Sequence, residues 1–230
     1  MKKRLRTLRI TLSAALGIIL TLLIATTVLP HGFSTIAKIQ LMPALLSLNI
    51  GILAFWLVAT SLLGRVYCST VCPLGLFQDI CARIGKQLKK KPKRRYRYSA
   101  AHNSLRYAVL AATIIAGIAG AAAVPSLLDP YSAFVRMVGA IVAPSAIGIA
   151  VGGITFVTIG ALAFSGGRTF CNTVCPVGAT LSLASRKPMM RIQIDTSRCI
   201  GCRRCEAECK ASCIDVKNHT VDMSRCVMCL

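Results

Sequence analysis

The chain has 230 residues, 55% of them apolar, and its 28 lysines and arginines against 7 acidic residues give a formal net charge of +21. This composition excludes an ordinary soluble enzyme and is typical of a small membrane protein with basic loops. It does not indicate nucleic-acid binding, because a basic run between apolar segments fixes membrane topology and binds anionic lipid headgroups, and no recognisable nucleic-acid-binding fold accompanies the charge.

Four stretches without charged residues predict transmembrane helices, since about 20 apolar residues cross a bilayer. They cover residues 10–29, 39–64, 107–128 and 137–167. The last stretch is too long for one span and contains Pro144, so we expect it to cross at residues 146–164, with residues 131–143 at the outer interface. The predicted fold class is a membrane all-α protein with four transmembrane helices in two repeated halves.

The distribution of lysine and arginine predicts the orientation, because cations near span ends stay on the cytoplasmic side. Five precede the first apolar stretch and nine lie within residues 83–97, whereas the segments after the first and third stretches carry only Lys38 and Arg136. The amino terminus, the middle loop and the carboxyl tail of this multi-pass protein are expected on the cytoplasmic side of the inner (cytoplasmic) membrane. The first stretch is longer than a signal-peptide core of about 7–15 residues, which favours a retained anchor.

A twelve-residue motif occurs twice in the chain. Residues 64–75 return with eight identities at residues 167–178, each time directly after an apolar stretch. Both copies read G-R-x-aromatic-C-x3-C-P-x-G, and cysteines four apart lie on one face of a helix. The cysteines are Cys68 and Cys72 in the first copy, and Cys171 and Cys175 in the second. A four-thiolate cluster between the copies, a dithiol redox pair and a metal-transfer site all remain open, and simple packing of small buried thiols is the alternative.

The glycine and arginine that begin each copy have a structural explanation. We expect Gly64 and Gly167 to cap the carboxyl ends of the preceding helices. We expect Arg65 and Arg168 to extend into the lipid headgroups.

The clearest metal pattern lies in the tail, where four cysteines have the C-x2-C-x2-C-x3-C spacing of bacterial ferredoxins. They are Cys199, Cys202, Cys205 and Cys209. Because cytoplasmic thiols stay reduced, clustered cysteines there are expected to bind metal rather than form disulfides. The spacing therefore predicts a 4Fe–4S cluster. Lys210 stands where this run normally has proline, and we interpret Cys213 and Cys81 as packed thiols rather than ligands.

A second run begins at Cys226 and Cys229, and the sequence ends inside it. In two-cluster ferredoxins the fourth cysteine of each run ligates the other cluster, so Cys209 would join the second cluster, which needs a further cysteine at about position 232. The pattern favours a piece of a longer protein, and a single cluster with an irregular fourth ligand is the alternative. The expected domains are two two-helix repeats, 1–98 and 99–188, and a small α+β ferredoxin-like domain, 189–230.

Apolar spans followed twice by G-R-x-aromatic-C-x3-C-P-x-G, and then by a ferredoxin run, resemble the membrane polyferredoxins of the NapH, NosR and CcoG type. The resemblance covers nearly the whole chain after the first span, and it favours a shorter NapH-like protein over a NosR-type protein with its large flavin-binding periplasmic domain. It implies electron transfer between the membrane and redox partners in nitrate, nitrous oxide or copper-oxidase pathways. The ferredoxin-run cysteines would then be cluster ligands, and those of the two repeats a membrane-side redox motif.

Together these features predict an electron carrier. It would pass electrons between a membrane donor, with quinol as a candidate, or a cytoplasmic donor and a redox partner protein. Whether it is a component of an oxidoreductase complex stays open, and no nucleophile motif, paired carboxylates or phosphate-binding glycine loop supports bond-making catalysis. The rival hypothesis is a maturation factor that binds or reduces copper for a respiratory oxidase or reductase. The expected cofactors are two 4Fe–4S clusters, with a third open at the repeats; the expected partners are membrane lipid, redox proteins and quinone.

Overall fold

The computed structural model describes residues 2–27, 50–88, 96–121 and 123–229, and within them the chain is mostly helical. The first half contains α1 (Lys2–Thr27), α2 (Ile50–Leu63), α3 (Tyr67–Thr70) and α4 (Pro73–Leu88). The second half begins with α5 (Asn103–Ile118), α6 (Ala123–Leu128) and α7 (Pro130–Val142). It continues with α8 (Ala146–Gly166), α9 (Thr169–Thr173) and α10 (Pro176–Ala184). The tail contains α11 (Arg204–Glu208) and an antiparallel pair of strands, β1 (Ile214–Asp215) and β2 (Thr220–Val221).

Two of the described helices are long and apolar enough to cross a membrane: the segment Thr7–Ala25 within α1, and α8. The other predicted spans contain α2, with 14 residues, and α5, with 16, both shorter than the roughly 20 residues of an ordinary span. Residues 39–49 of the second predicted span lie outside the described part of the chain. Two apolar helices indicate membrane association, but the predicted four crossings and the orientation are not confirmed.

The segment that we expected at the outer interface forms its own helix, α7. Asp129 caps it by accepting hydrogen bonds from the Ser132 amide at 2.8 Å and hydroxyl at 2.9 Å. Pro144 then separates α7 from α8, where the Ser145 hydroxyl accepts a hydrogen bond from the Gly148 amide at 3.1 Å. Serine and aspartate supply acceptors for amides that a helix start leaves unpaired, so the long apolar stretch is divided as the proline indicated.

The helices of the two repeats pack crosswise. The helix that follows the first motif, α4, packs on the long apolar helix of the second repeat, α8. Conversely, the helix that follows the second motif, α10, packs on the apolar helix of the first repeat, α2. The main core lies between them and includes Leu74, Leu181, Phe170 and Tyr67, with the Trp56 ring edge-on to Tyr67 at 4.8 Å. Neither repeat therefore has a complete core of its own.

The tail folds back onto both motifs. The Arg168 amide donates a hydrogen bond to the Lys210 carbonyl at 2.9 Å, and the tail residue Val227 is buried in the core between the repeats. Gly167, at φ +74°, faces the same carbonyl, and a Cβ there would collide with it. Glycine at this position thus permits both the sharp turn after α8 and the close approach of the tail.

We expect Gly167→Ala to lower the free energy of unfolding by about 2–4 kcal/mol, because it adds backbone strain to a collision with the Lys210 carbonyl. The matched control is Gly153→Ala in the middle of α8, where a Cβ meets no described atom within 4 Å. That change should be neutral or stabilising. Unfolding of the detergent-solubilised protein, followed by circular dichroism, measures both, and equal effects would contradict the tail placement.

Candidate metal centre

The two motif copies begin with the same turn. Gly64 and Gly167 both have φ +74°, and their amides donate to the carbonyls of Thr60 and Ala163, four residues earlier, at 2.9 Å in each copy. Both glycines therefore cap the carboxyl ends of the preceding helices at a positive φ, as the sequence predicted. Each apolar helix ends with the same backbone hydrogen bond.

The first cysteine of each copy lies within a short helix, and the second cysteine follows that helix. The Cys72 amide donates to the Tyr67 carbonyl at 3.1 Å, and the Cys175 amide to the Phe170 carbonyl at 3.0 Å. A proline then begins the next helix, where a missing amide hydrogen costs nothing. Cys175 Sγ accepts a hydrogen bond from the Gly178 amide at 3.3 Å, whereas in the first copy the Gly75 amide donates to the Cys72 carbonyl at 3.1 Å.

All four repeat cysteines are buried, and they act on one another. Burial is the largest cause that raises the pKa of Cys72 and of Cys175 well above the ordinary value. The negative charges of neighbouring thiolates, in the same copy and in the other copy, raise both pKa values further. Burial and the thiolate of Cys68 raise the pKa of Cys171 to about 11. The thiols of Cys72, Cys171 and Cys175 therefore remain protonated at neutral pH without a cation. A bound metal would supply the positive charge that stabilises the thiolates.

The arginines of the motifs do not lie where the sequence analysis expected. Arg65 is 0% exposed and Arg168 is 1% exposed, so the prediction that they extend into lipid headgroups is wrong. Each guanidinium instead donates to the carbonyl of the first cysteine in the opposite copy: Arg65 to Cys171 at 3.1 Å, and Arg168 to Cys68. Buried charges need such partners, and here the opposite repeat supplies them.

Arg168 has a carboxylate partner on the first repeat. Its Nε donates to Asp79 on α4 at 2.9 Å, and Lys210 from the tail lies 3.3 Å from the same oxygen. Burial opposes ionisation of Asp79, but the adjacent charge and hydrogen bond of Arg168 outweigh it and hold the pKa at about 2. Asp79 is therefore ionised at every physiological pH, and it joins the second motif to α4 and the tail.

Arg65 joins the first motif to the second motif and the tail. Its Nη1 donates to Asn172 Oδ1 at 2.8 Å and to the Ser224 carbonyl at 3.2 Å, while Nη2 lies 3.8 Å from Cys68 Sγ. Asn172 in turn donates to the Ala211 carbonyl at 3.2 Å. The thiols thus lie beneath a polar network that extends into the tail.

The last glycine of each motif leaves room for the carbonyl of the first cysteine in its own copy. A Cβ at Gly178 would collide with the Cys171 carbonyl and lie 2.7 Å from Arg65 Nη2. A Cβ at Gly75 would collide with the Cys68 carbonyl. Both positions require the absence of a side chain for the same reason.

The ferredoxin-run cysteines divide into two sets. Cys202 and Cys205 are exposed and Cys199 is half-buried, whereas Cys209 is buried. From the second run, Cys226 is buried and Cys229 is half-buried. Cys213 is packed, as expected, but its sulfur lies 3.5 Å from Cys209 Sγ. The structure therefore places Cys209 with Cys213 and the second run rather than with the three cysteines that precede it.

Within the described ranges, no three histidine, cysteine, aspartate or glutamate side chains already surround one point as ligands of a single metal ion. A cubane has a different requirement, because its four thiolates bind four separate iron corners. The chemistry of two four-cysteine groups fits that cofactor: the repeat cysteines, and the tail group around Cys209.

Two polar residues of the site were not identified from the sequence. Gln78 Nε2 donates to Cys171 Sγ at 3.2 Å, and Asp79 binds Arg168. Both follow the motif by a few residues, but the corresponding positions of the second copy are Leu181 and Ser182, so the repeat gave no indication of them. Arg65 and Arg168 could have been identified as site residues from the sequence, since they recur at the same place in both copies.

Comparison with known proteins identifies the cofactor class. A family described as a 4Fe-4S binding domain matches the chain twice, at residues 46–92 and 149–194. The matched segments contain both C-x3-C-P motifs, while the ferredoxin run of the tail lies outside them. The match supports an iron–sulfur, ferredoxin-like protein with a role in electron transfer. The narrower resemblance to NapH, NosR and CcoG is not confirmed.

Two uncharacterized proteins of Methanocaldococcus jannaschii are similar to the chain. One is 27% identical over 177 residues, which are 75% of this chain and 61% of the relative. The other is 28% identical over 176 residues, 75% of this chain and 68% of the relative. The chain thus spans about three fifths of the first relative's length. No solved structure matches.

We expect Asp79→Asn to destabilise the protein by about 3–5 kcal/mol, because it removes the carboxylate of a buried ion pair and leaves the Arg168 charge uncompensated. Asp195→Asn is the matched control, since the ion pair of Asp195 with Arg198, at 3.5 Å, is exposed. Its effect should stay within about 0.5 kcal/mol. Denaturant unfolding measures both changes, and a small loss for Asp79→Asn would show that Arg168 is solvated in the folded protein.

Proposed function

We propose that the protein is a membrane-anchored iron–sulfur electron carrier whose two repeats hold a 4Fe–4S cluster between them. The cluster ligands are the four repeat cysteines: Cys68, Cys72, Cys171 and Cys175. The observation that carries the proposal is the crosswise arrangement that buries these four thiols together, within the segments that match a 4Fe–4S binding family. The ferredoxin-type tail beside them binds further clusters.

The surroundings of the repeat thiols suit this cofactor. Four cysteine thiolates are the usual ligands of a cubane, and hydrogen bonds to the sulfurs adjust its potential. The Gly178 amide and Gln78 Nε2 provide such bonds. Within the described part of the chain, Arg65 Nε and Arg168 Nη2 are buried without a hydrogen-bond partner. These donors and their charges would compensate the net negative charge of a thiolate-bound cluster.

When bound, a 4Fe–4S cluster accepts and releases one electron at a time. The protein excludes water from the site by burying the cysteines in the core between the repeats. Arg65 and Arg168 keep a fixed positive charge next to the thiolates, which favours the reduced state and raises the reduction potential.

The route out of the repeats leads into the tail. Cys229 packs against the same core as Cys68, Cys72 and Cys175. This one tail thiol therefore lies against the core of the repeat thiols without an intervening layer of solvent. At the other end of the tail, Cys202 and Cys205 are exposed, which suits transfer to or from a soluble redox protein.

The proposed membrane donor is a quinol. Apolar side chains of the long helix α8, among them Ile154, Phe156 and Val157, are exposed, as expected for a surface in contact with lipid. A carrier with its thiols directly beyond the end of such a helix can take electrons from a lipid-soluble donor and deliver them to the cytoplasm.

Iron and acid-labile sulfide of the anaerobically purified protein test the cluster assignment. We expect the double variant Cys68→Ser with Cys171→Ser to lose about 4 iron per protein relative to the native chain, since a cubane contains four. Cys81→Ser is the matched control, because Cys81 is half-buried on α4 outside both groups. A native protein without iron or cluster absorption would contradict the electron-carrier proposal. Unchanged iron in the double variant would restrict the clusters to the tail.

Oxidation of the reduced protein by a quinone tests whether the cluster exchanges electrons with a lipid-soluble carrier. We expect quinone alone, with no added metal, to restore the absorption of the oxidised cluster. Stoichiometric copper binding that disappears in the same double variant, without quinone oxidation, would instead support the maturation factor.

Reporter fusions test the proposed orientation. Alkaline phosphatase requires disulfides and is active only outside the cytoplasm. We expect it to be inactive after Ala100 and active after Pro144, and green fluorescent protein to show the opposite pattern. Activity at both positions, or the reverse pattern, would contradict a cytoplasmic middle loop.

A further inference from the structure

A polar cavity lies where the second motif meets the tail. Its wall includes Thr169 and Asn172 from α9, Ser212 and Arg225 from the tail, and His102 directly before α5. The centres of water-sized molecules have about 50 Å³ of space in it. One water needs about 10–15 Å³ of such space, so the cavity has room for several waters or for one small oxyanion. None of the described residues that line it is a cysteine, which separates the cavity from the thiol groups.

Arg225 brings a buried positive charge to the wall of this cavity. The residue is 4% exposed, its Nε donates to Asp222 Oδ2 at 2.7 Å, and its guanidinium lies 5.6 Å from the centre of the Tyr98 ring. Its Nη2 is buried and has no hydrogen-bond partner within the described part of the chain. A charged donor taken out of water needs an acceptor, so an acceptor in the cavity is expected.

A second buried arginine adds to the positive charge at the same turn of the tail. Arg106 is 1% exposed, and its Nη2 donates to the carbonyl of Ser224, the residue before Arg225, at 2.9 Å. Its Nε and Nη1 also lack partners among the described residues. The ion pairs of these residues give Arg225 one carboxylate, Asp222, and give Arg106 none. An anion beside Arg225 would offset this excess of buried positive charge.

The cavity lies at the end of the apolar helix α8 and is accessible from the surface. Gly166, the last residue of α8, belongs to its wall, as do the exposed residues Ser99, Ala100 and His102. These three follow the stretch 83–97, which contains nine lysines and arginines. Phosphate headgroups lie at the ends of membrane-crossing helices, and basic segments attract anions to that level.

We propose that this cavity binds a phosphate group, carried by an anionic phospholipid or present as inorganic phosphate. Arg225 Nη2 donates to a phosphate oxygen, and the His102 ring and the Thr169 hydroxyl are the further donors of the wall. The bound phosphate joins the end of α8, the second motif and the tail. The proposal does not depend on the cofactor of the proposed function.

The test uses the full chain, purified in a phosphate-free buffer and a maltoside detergent. Mass spectrometry measures the phospholipid that each chain retains, and equilibrium dialysis with radiolabelled inorganic phosphate measures binding to the delipidated protein. We expect one site per chain. A retained anionic phospholipid, with phosphate binding only after delipidation, assigns the site to a lipid headgroup. Phosphate binding by a chain that retains no phospholipid assigns it to the free anion.

Three variants separate the cavity from the basic surface. We expect Arg225→Gln to weaken phosphate binding about 10–100-fold, or to lose the retained lipid, because it removes a charged donor. Thr169→Val replaces one hydroxyl with a methyl group and should weaken phosphate binding about 2–10-fold. Arg198→Gln is the matched control, since Arg198 is exposed and pairs with Asp195. Its phosphate binding should equal that of the native chain.

A native chain that binds neither inorganic phosphate nor a phospholipid would overturn the proposal. Equal losses in Arg225→Gln and Arg198→Gln would overturn it too, because surface charge would then explain the binding. If circular dichroism shows that Arg225→Gln does not fold, Thr169→Val decides, and an unchanged affinity for phosphate rejects the site. A native chain without iron would refute the proposed function and leave this site untouched.

Discussion

The structure depends on the exchange of two buried arginines between the repeats. A guanidinium removed from water without partners costs several kcal/mol, and each of these two finds its partners mainly in the opposite half. Arg65 reaches the Cys171 carbonyl and Arg168 reaches the Cys68 carbonyl. Neither half satisfies its own charge, so the two halves are stable only as a pair. The pairing that satisfies the arginines also brings the four thiols together.

The exchange of arginines between the copies explains why each residue of the repeated motif stands where it does. The first glycine ends the apolar helix, and the arginine then crosses to the other copy. The first cysteine lies within a short helix, the second follows it, and the proline starts the next helix. The last glycine leaves space for the carbonyl of the first cysteine, and at Gly178 also for the Arg65 guanidinium, which a Cβ there would approach to 2.7 Å. The motif spacing therefore reflects contacts between copies, and it serves the thiols by fixing their surroundings.

The local features of the fold were predictable from the sequence, and the long-range ones were not. The glycine caps, the helix over residues 146–166 and the separate helix before Pro144 follow from short-range rules of capping and helix breaking. The arginine contacts join residues 106 and 100 positions apart. From the sequence alone, lipid headgroups were the expected partners of both arginines, because an arginine at the end of a transmembrane helix usually extends its charge into the headgroups.

The departures from symmetry occur where the tail docks. Gln78 and Asp79 of the first half correspond to Leu181 and Ser182 of the second, so only one half offers a carboxylate to the opposite arginine. Lys210 of the tail lies 3.3 Å from that carboxylate, and Arg65 donates to the Ser224 carbonyl on the other side. The symmetric part of each copy builds the thiol site, whereas the unmatched residues bind the tail to it.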